Sequence, residues 1–538
     1  MLIHINAAKC IGIDAVPVTV ETRMDRGIGI RLVGLADAAV RESLLRTTTA
    51  LQALGYEIPG RQITINLAPA DMHKSGSGYD LPIALGIMAA SGLVEMPLLE
   101  DYIVMGELGL DGSIRDIPAG LAYAELAVKS GLKGIILPTG AAMEATELRE
   151  TRVYSVSTLA EVLRILSGGE GSDELLVWNT QTYRRLERER QHRQLRRQNN
   201  AHRELGGDYV DMADIIGQEG AKRGIEIAAA GGHNAILLGS PGSGKSSLAK
   251  ALAGILPPMT REESLVTSKL FSIAGKGDLT LGLMRQRPFR APHYSASLAA
   301  IIGGGGGDSI VPGEVSLAQN GVLFCDELGQ MPKSVIESLR GPIEDRKVVI
   351  SRLRSKVEYP ASFMLIAASN PCPCGYWGEG DRCRCTPVQR SAYLAKLSGP
   401  ILDRIDIHCW MGNVSSDKVM QGRRGEPSSV VAERVLKARI AQKHRFAAEN
   451  AVAEAAGTRV IMTNAEMNNR QIELYCPLSP ECQQTMQQLM DRMGLSMRAF
   501  YRIIRVARTI ADLAGDDDIK TGHLMEAAGF RILDKRLE

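Results

Sequence analysis

"GGHNAILLGSPGSGKSSLAKALAGIL", Gly231 to Leu256, decides how the rest of this 538-residue chain is read. The apolar run Ala235 to Leu238 predicts a strand. It opens into Gly239-Ser240-Pro241-Gly242-Ser243-Gly244-Lys245-Ser246, and from Ser247 the pattern turns helical. A full G-x-x-x-x-G-K-S between strand and helix is a phosphate loop, and the setting makes the signal specific. Its glycines let backbone N–H groups turn inward on phosphate oxygens, and the helix N-terminus adds positive potential. Lys245 is expected to reach the β- and γ-phosphates of ATP, and the Ser246 hydroxyl to ligate magnesium.

Such a loop needs a second apolar strand that ends in acid. "GVLFCDELG" supplies it: Val322 to Cys325, then Asp326 to hold magnesium through water and Glu327 to polarise the attacking water. A third strand, "SFMLIAASN", ends at Asn370. In P-loop ATPases of the AAA+ type a polar residue there orients the lytic water, so Asn370 is expected to be sensor 1. Two arginines complete the set. Arg404 in "LSGPILDRIDIHCW" closes a predicted helix where an arginine finger meets the neighbouring subunit, and Arg498 opens an amphipathic helix in "GLSMRAFYRIIRVARTIADL", the place of sensor 2. Either arginine alone reads as surface charge. The ordered set gives both a role, because transition-state charge on phosphate needs cations.

The order of the phosphate loop, "PFRAPHYSASLAAIIGGGGGDSIVPGEVSLAQNGVLFCDELGQMPKSVIESLRGPIEDRKVVISR", "IAASNPCPCG", "GPILDRID" and "LSMRAFYRIIRVARTIADL" resembles the ComM/YifB family of magnesium-chelatase-like AAA+ ATPases over nearly the whole chain. The resemblance implies a homo-oligomeric ring, expected to be a hexamer, and an ATP-driven helicase that migrates DNA branches during natural transformation. It implies an α/β multidomain fold: a Lon-protease-like (ribosomal S5 domain 2-like) domain at 1–168, an Arg-rich linker at 169–207, a P-loop AAA+ core with inserted hairpins at 208–418, and an all-helical lid at 419–538. The rival reading is a chelatase-type motor that remodels a protein partner without DNA.

Composition fits that scheme. Hydrophobic residues at 45% and charged residues at 23% match an ordinary globular protein, long enough for about three or four domains. No signal peptide or membrane-length apolar run is present, so a cytoplasmic location with reduced thiols is expected. The net charge of +2 points to no partner, but its distribution does. Gln181 to Glu204 holds eight arginines, three glutamates and almost no apolar residue. It reads as a solvated linker or as a segment touching nucleic-acid phosphates.

In the first domain, "LAPADMHKSGSGYDLPIALGIMAASG" and "MGELGLDGSIRDIPAGLAYAELAVKSGLKGIILP" resemble the proteolytic domain of Lon-type proteases, whose lysine serves as base for a serine. Against that pattern Gly78 falls where the serine belongs and Leu121 where the lysine belongs. Ser75, Ser77 and Lys129 are out of register. No peptidase activity is expected, whatever the fold.

Two inserts point outward. The five glycines Gly303 to Gly307 are too flexible for a core strand or helix, and read as a surface loop or as a loop projecting into a ring pore. "RKVVISRLRSKVEY" predicts a hairpin with Arg352, Arg354 and Lys356 near its tip, solvated or tracking DNA phosphates. Aromatic residues make up 4% of the chain, so backbone contacts outrank base stacking. Finally, "NPCPCGYWGEGDRCRC" sets Cys372-x-Cys374 and Cys383-x-Cys385 immediately after Asn370. Four reduced thiols in a loop are one reading. A structural zinc is the other, with no open position for catalysis.

Overall fold

The computed structural model describes residues 2–189, 210–276, 282–305, 310–351, 356–378, 382–397, 401–412, 420 and 424–531. At the amino terminus seven strands form one mixed sheet. Their order is Gly29–Val33, Gln62–Ala68, Asp14–Asp25, Leu2–Ile11, Tyr102–Val104, Gly134–Pro138 and Arg152–Val156. Leu2–Ile11 and Asp14–Asp25 pair antiparallel along their whole length and bury alternate side chains, as a sheet with one covered face requires. The cover includes helix Asp80–Ala90, which is apolar on every side and accordingly buried on every side, between the sheet and helix Ala38–Ala53. Its one charge, Asp80, sits at the positive helix end and accepts from Arg46 Nε at 2.9 Å.

This packing runs past residue 168: Leu175 and Val177 are buried in the same core, with Tyr183 and Leu186 against it. A helical segment at 181–189 follows. The rest of the arginine-rich stretch, 190–204, lies outside the described residues, as do 205–209.

The second sheet is entirely parallel, in the order Phe289–Arg290, Val322–Cys325, Met364–Ser369, Ala235–Gly239, Ile407–Met411. Its three central strands are buried at every position, so they read as unbroken apolar runs rather than alternating ones. The order places the strand ending before Asn370 between the phosphate-loop strand and the acidic strand. All three chains therefore leave the sheet at one carboxyl edge, where α/β sheets bind ligands.

Helices Ser428–Ala455, Asn469–Tyr475, Pro480–Met493, Met497–Ala514 and Thr521–Gly529 follow. Met497–Ala514 is capped by the Ser496 side chain and stopped by Gly515 at φ +76°. Its apolar stripe packs on helix Glu219–Gly231, which feeds the phosphate-loop strand.

The predicted basic hairpin forms: Lys347–Ser351 pairs antiparallel with Lys356–Pro360. Of the glycine run, read as a surface or pore loop, Gly306 and Gly307 lie outside the described residues, and its start makes a short ladder. Gly303–Gly304 pairs with Val311–Pro312. Gly303 sits at φ +109°, and a Cβ there would stand 2.8 Å from Val311 O and 2.9 Å from Ile350 Cδ1. Glycine serves here for close approach as well as for freedom.

The two sheets are joined by helix Arg261–Ile273, opened by a Thr260–Glu263 capping box. The Lys269 side chain, 5% exposed, pairs with Asp14 at 3.2 Å and with Glu125, both from the amino-terminal domain. One turn on, Ser272 Oγ accepts from Ala119 N at 2.9 Å and bonds Glu144. Lys269→Ala strips the amino-terminal Asp14 and Glu125 of the cation that reaches them across this seam. It should cost about 1–3 kcal/mol, read as an earlier midpoint in urea unfolding, whereas Lys129→Ala, whose pair is exposed, should change it by no more than about 0.5 kcal/mol.

Candidate functional site

The phosphate loop takes the shape its glycines permit. Gly242 and Gly244 adopt φ +80° and +89°, with open space where a side chain would stand at Gly242. Gly239 has a different reason to be glycine: a Cβ there would lie 2.4 Å from Met411 O on the neighbouring strand and 2.8 Å from Ser243 Oγ.

Around this loop the expected residues converge. Lys245 Nζ donates to Gly239 O at 2.7 Å, to Ser240 O at 2.8 Å and to Asn370 Oδ1 at 3.4 Å. Burial pulls the Lys245 pKa below its ordinary value, while Asp326 and Glu327 pull it back upward. The Ser246 hydroxyl donates to Asp326 Oδ2 at 2.9 Å, so the two residues expected at magnesium already meet. Glu327 follows in the left-handed region at φ +51°, its N–H donating to Asp326 Oδ1 at 2.9 Å. A non-glycine residue there stores on the order of 1 kcal/mol of strain, and such strain gathers at functional turns. Ammonium, hydroxyl, two carboxylates and inward-turned backbone N–H groups are the donor set that ATP with magnesium requires.

The two arginines lie elsewhere. Arg404 ends the turn Leu402–Arg404 just before Ile407–Met411, and that strand runs parallel to Ala235–Gly239. Arg404 therefore stands at the amino edge of the sheet, roughly 13 Å of strand away from the phosphate loop. It is buried, with Nη2 on Glu344 Oε1 at 2.7 Å. Arg498 lines the same cavity of about 430 Å³, with Arg346, Arg502 and Arg505, against Glu344 and Asp406. Burial lowers the pKa of Arg346, Arg502 and Arg505. Although burial opposes its ionisation too, Asp406 is held below the usual carboxylate range by His233, Arg502 and Arg505.

Beneath this cavity is a polar network that motif reading passed over. Asn234 Nδ2 donates to Arg404 O at 3.2 Å, and Asn234 Oδ1 accepts from Leu365 N at 2.8 Å. His233 bonds Asp406 at 3.1 Å and Thr509 of the helix Met497–Ala514 at 2.8 Å. The available signal was a His-Asn pair standing directly before an apolar strand. Such polar groups survive burial only when paired.

The four cysteines after Asn370 come together. Cys372 Sγ lies 3.4 Å from Cys374 and 3.8 Å from Cys383, and Cys374 lies 3.7 Å from Cys383. All four sulfurs fall within 4.8 Å of one another. Burial pushes the Cys372 thiol up to about 12, whereas the Tyr376 N–H draws Cys374 down to about 6. Lys356, which opens the hairpin's second strand beside its tip, is exposed. Arg352 and Arg354 lie outside the described residues.

A parallel sheet in this order, with lysine, serine, aspartate and asparagine meeting at its carboxyl edge, defines a P-loop ATPase core of the AAA type. Family comparisons agree. The family described as magnesium chelatase, subunit ChlI, matches residues 211–419, subunit ChlI of Mg-chelatase matches 20–141, and the ChlI C-terminal family matches 425–531. The chain is 38% identical to the uncharacterized protein YifB of Salmonella typhimurium, covering 100% of this chain and 98% of the relative. It is 38% identical to the competence protein ComM of Haemophilus influenzae over 98% of this chain and 97% of that one. The magnesium-chelatase 38 kDa subunit of Rhodobacter capsulatus is 24% identical over 29% of this chain and 49% of its own. The chain belongs to the YifB/ComM family of magnesium-chelatase-like proteins, and its core is an ATPase domain using ATP and magnesium. Among the described residues no helix is long and apolar enough to cross a membrane.

The glycine geometry separates two substitutions. Gly239→Ala should lower ATP affinity at least about tenfold, because the strand backbone at Met411 cannot yield as a side chain would. Gly220→Ala, in a helix and meeting nothing within 4 Å, should leave affinity unchanged and stabilise slightly, by about 0.4–1 kcal/mol. Nucleotide titration and thermal melting check both.

Proposed function

We propose that this chain is a cytoplasmic, ATP-driven DNA motor that works as a hexameric ring, and that it migrates DNA branches during natural transformation. One observation carries the ring: Lys245 and Arg404 occupy opposite edges of one sheet. Charge developing on the γ-phosphate needs cations. Arg404 and Arg498 reach it only when one subunit's amino edge faces the next subunit's phosphate loop, so both act in trans. Within a subunit Glu327 orients and deprotonates the attacking water, Asn370 holds that water, and Lys245 and the loop N–H groups hold the triphosphate. Ser246 and Asp326 would hold magnesium, which would supply neutralisation of the phosphate charge.

DNA is supported by the basic hairpin and by the name of the competence relative. The three magnesium-chelatase family matches favour a second reading, in which the ring remodels a protein partner. The Lon-like scaffold of the first domain is proposed to carry no peptidase. A Cβ at Gly78 meets Met105 and Ile117 rather than a base, Leu121 is buried, and Ser77 bonds Glu107. The four cysteines are proposed to hold one structural zinc: tetrahedral Zn–S bonds of about 2.3 Å set sulfurs about 3.8 Å apart, near the spacing here.

Glu327→Gln should bind ATP normally and hydrolyse it at least about 100-fold more slowly. Forked or four-way-junction DNA should stimulate the wild-type ATPase, and a rate indifferent to every DNA structure favours the protein-remodelling reading. Replacing Arg352, Arg354 and Lys356 together should make the salt dependence of DNA binding shallower, by roughly 1 for each phosphate no longer neutralised. A slope equal to wild type returns these residues to solvated surface.

A further inference from the structure

The loop that carries the cysteines is also the wall of the nucleotide site. It leaves the sheet at Asn370, whose side chain meets Lys245, and turns back through Gly375, whose N–H donates to Cys372 O at 3.0 Å. Gly375 adopts φ +86° and lies against the phosphate loop: a Cβ there would stand 2.7 Å from Pro241 Cδ and 3.0 Å from Pro241 Cγ. The far side of the loop is pinned to the strand that flanks the phosphate-loop strand. Trp377 packs edge-on against Trp410 with ring centres 6.1 Å apart, and Gly378 approaches Trp410 closely enough that a Cβ would lie 2.9 Å from its ring.

We infer that the four-cysteine knuckle is a positioning element for the phosphate loop, so that occupancy of its metal and occupancy of the nucleotide site are thermodynamically coupled. The inference rests on the zinc reading and goes beyond it. Among the described residues from Asn370 to Cys385, Trp377 is the one large side chain packed on a hydrophobic cluster, so the turn at Gly375 is held on its sheet side and needs a second anchor at the cysteines. Four thiolates drawn onto one ion fix Cys372 and Cys374, and with them the turn at Gly375 between the knuckle and Pro241. Pro241 is then backed by a rigid surface rather than by solvent. Without the ion the loop is free to leave, and the phosphate loop must be ordered at the expense of nucleotide affinity. Coupling of this kind is reciprocal: nucleotide must hold the metal as strongly as metal holds the nucleotide.

The test uses the full chain, zinc as the metal and a fluorescent ADP analogue as the ligand. After metal analysis, ADP affinity is compared between zinc-loaded protein and protein stripped with a zinc-selective chelator that spares magnesium. Zinc transfer to that chelator is then timed with and without ADP. Stripping should weaken ADP binding about fivefold or more, and saturating ADP should slow zinc transfer to a similar extent. Gly375→Ala should retain one zinc per chain and still weaken ADP binding, because its Cβ collides with Pro241. This variant separates positioning from folding, since its metal content reports an intact knuckle. Zinc-bearing protein with the same ADP affinity before and after stripping, or Gly375→Ala with wild-type ADP affinity, overturns the coupling alone. A chain that takes up no stoichiometric zinc overturns the metal reading and the coupling with it.

Discussion

The structure depends on one adjacency: Met364–Ser369 lies between Ala235–Gly239 and Val322–Cys325, all three parallel. Strands buried on both faces have no room for polar side chains along their length, so every reactive group is exported to an end. Parallel direction then delivers the exports of all three strands to the same edge. Lys245 and Asn370, and likewise Ser246 and Asp326, are far apart in the chain and come within hydrogen-bonding reach of each other through that edge alone.

The same rule sorts the charges at the other edge. Arg404 precedes its strand instead of following it, so it belongs to the amino edge, and Arg498 is brought to the same cavity by the helix that packs beneath. His233 and Asn234 precede the phosphate-loop strand and are buried at this edge too, tied to Asp406, Thr509 and the Arg404 carbonyl. A strand with the phosphate loop at one end and this network at the other connects the two edges by covalent bonds. The helix Met497–Ala514 is therefore bonded, through Thr509 and His233, to the residues that lead into the phosphate-loop strand.

Much of this was legible in the sequence because it is local. The phosphate loop, the strand Val322–Cys325, the apolar run ending at Asn370 and the hairpin around Lys356 all announce themselves within about ten residues. Features set by long-range packing were not legible. Periodicity does not say that Leu175 and Val177 turn back into the first domain's core, so the boundary at 168 stands short of where the packing ends. Nor does it show that Gly303 is held between Val311 and Ile350, or that Arg404 and Arg498 share one cavity. The His-Asn pair was visible as letters, but its meaning comes from partners as distant in sequence as Asp406 and Thr509.

The seam at helix Arg261–Ile273 bears on how the chain is divided. The arginine-rich stretch invites a cut, with an ATPase on one side and a separable module on the other. Yet Leu265, Ile273 and Leu283 pack against the amino-terminal core, and Lys269 finds its acids there. An ATPase fragment begun after that stretch would present a sticky apolar face with a stranded ammonium at its centre. The amino-terminal domain therefore covers part of the ATPase domain's own apolar surface, and the two are not separable by a cut at that stretch without exposing it.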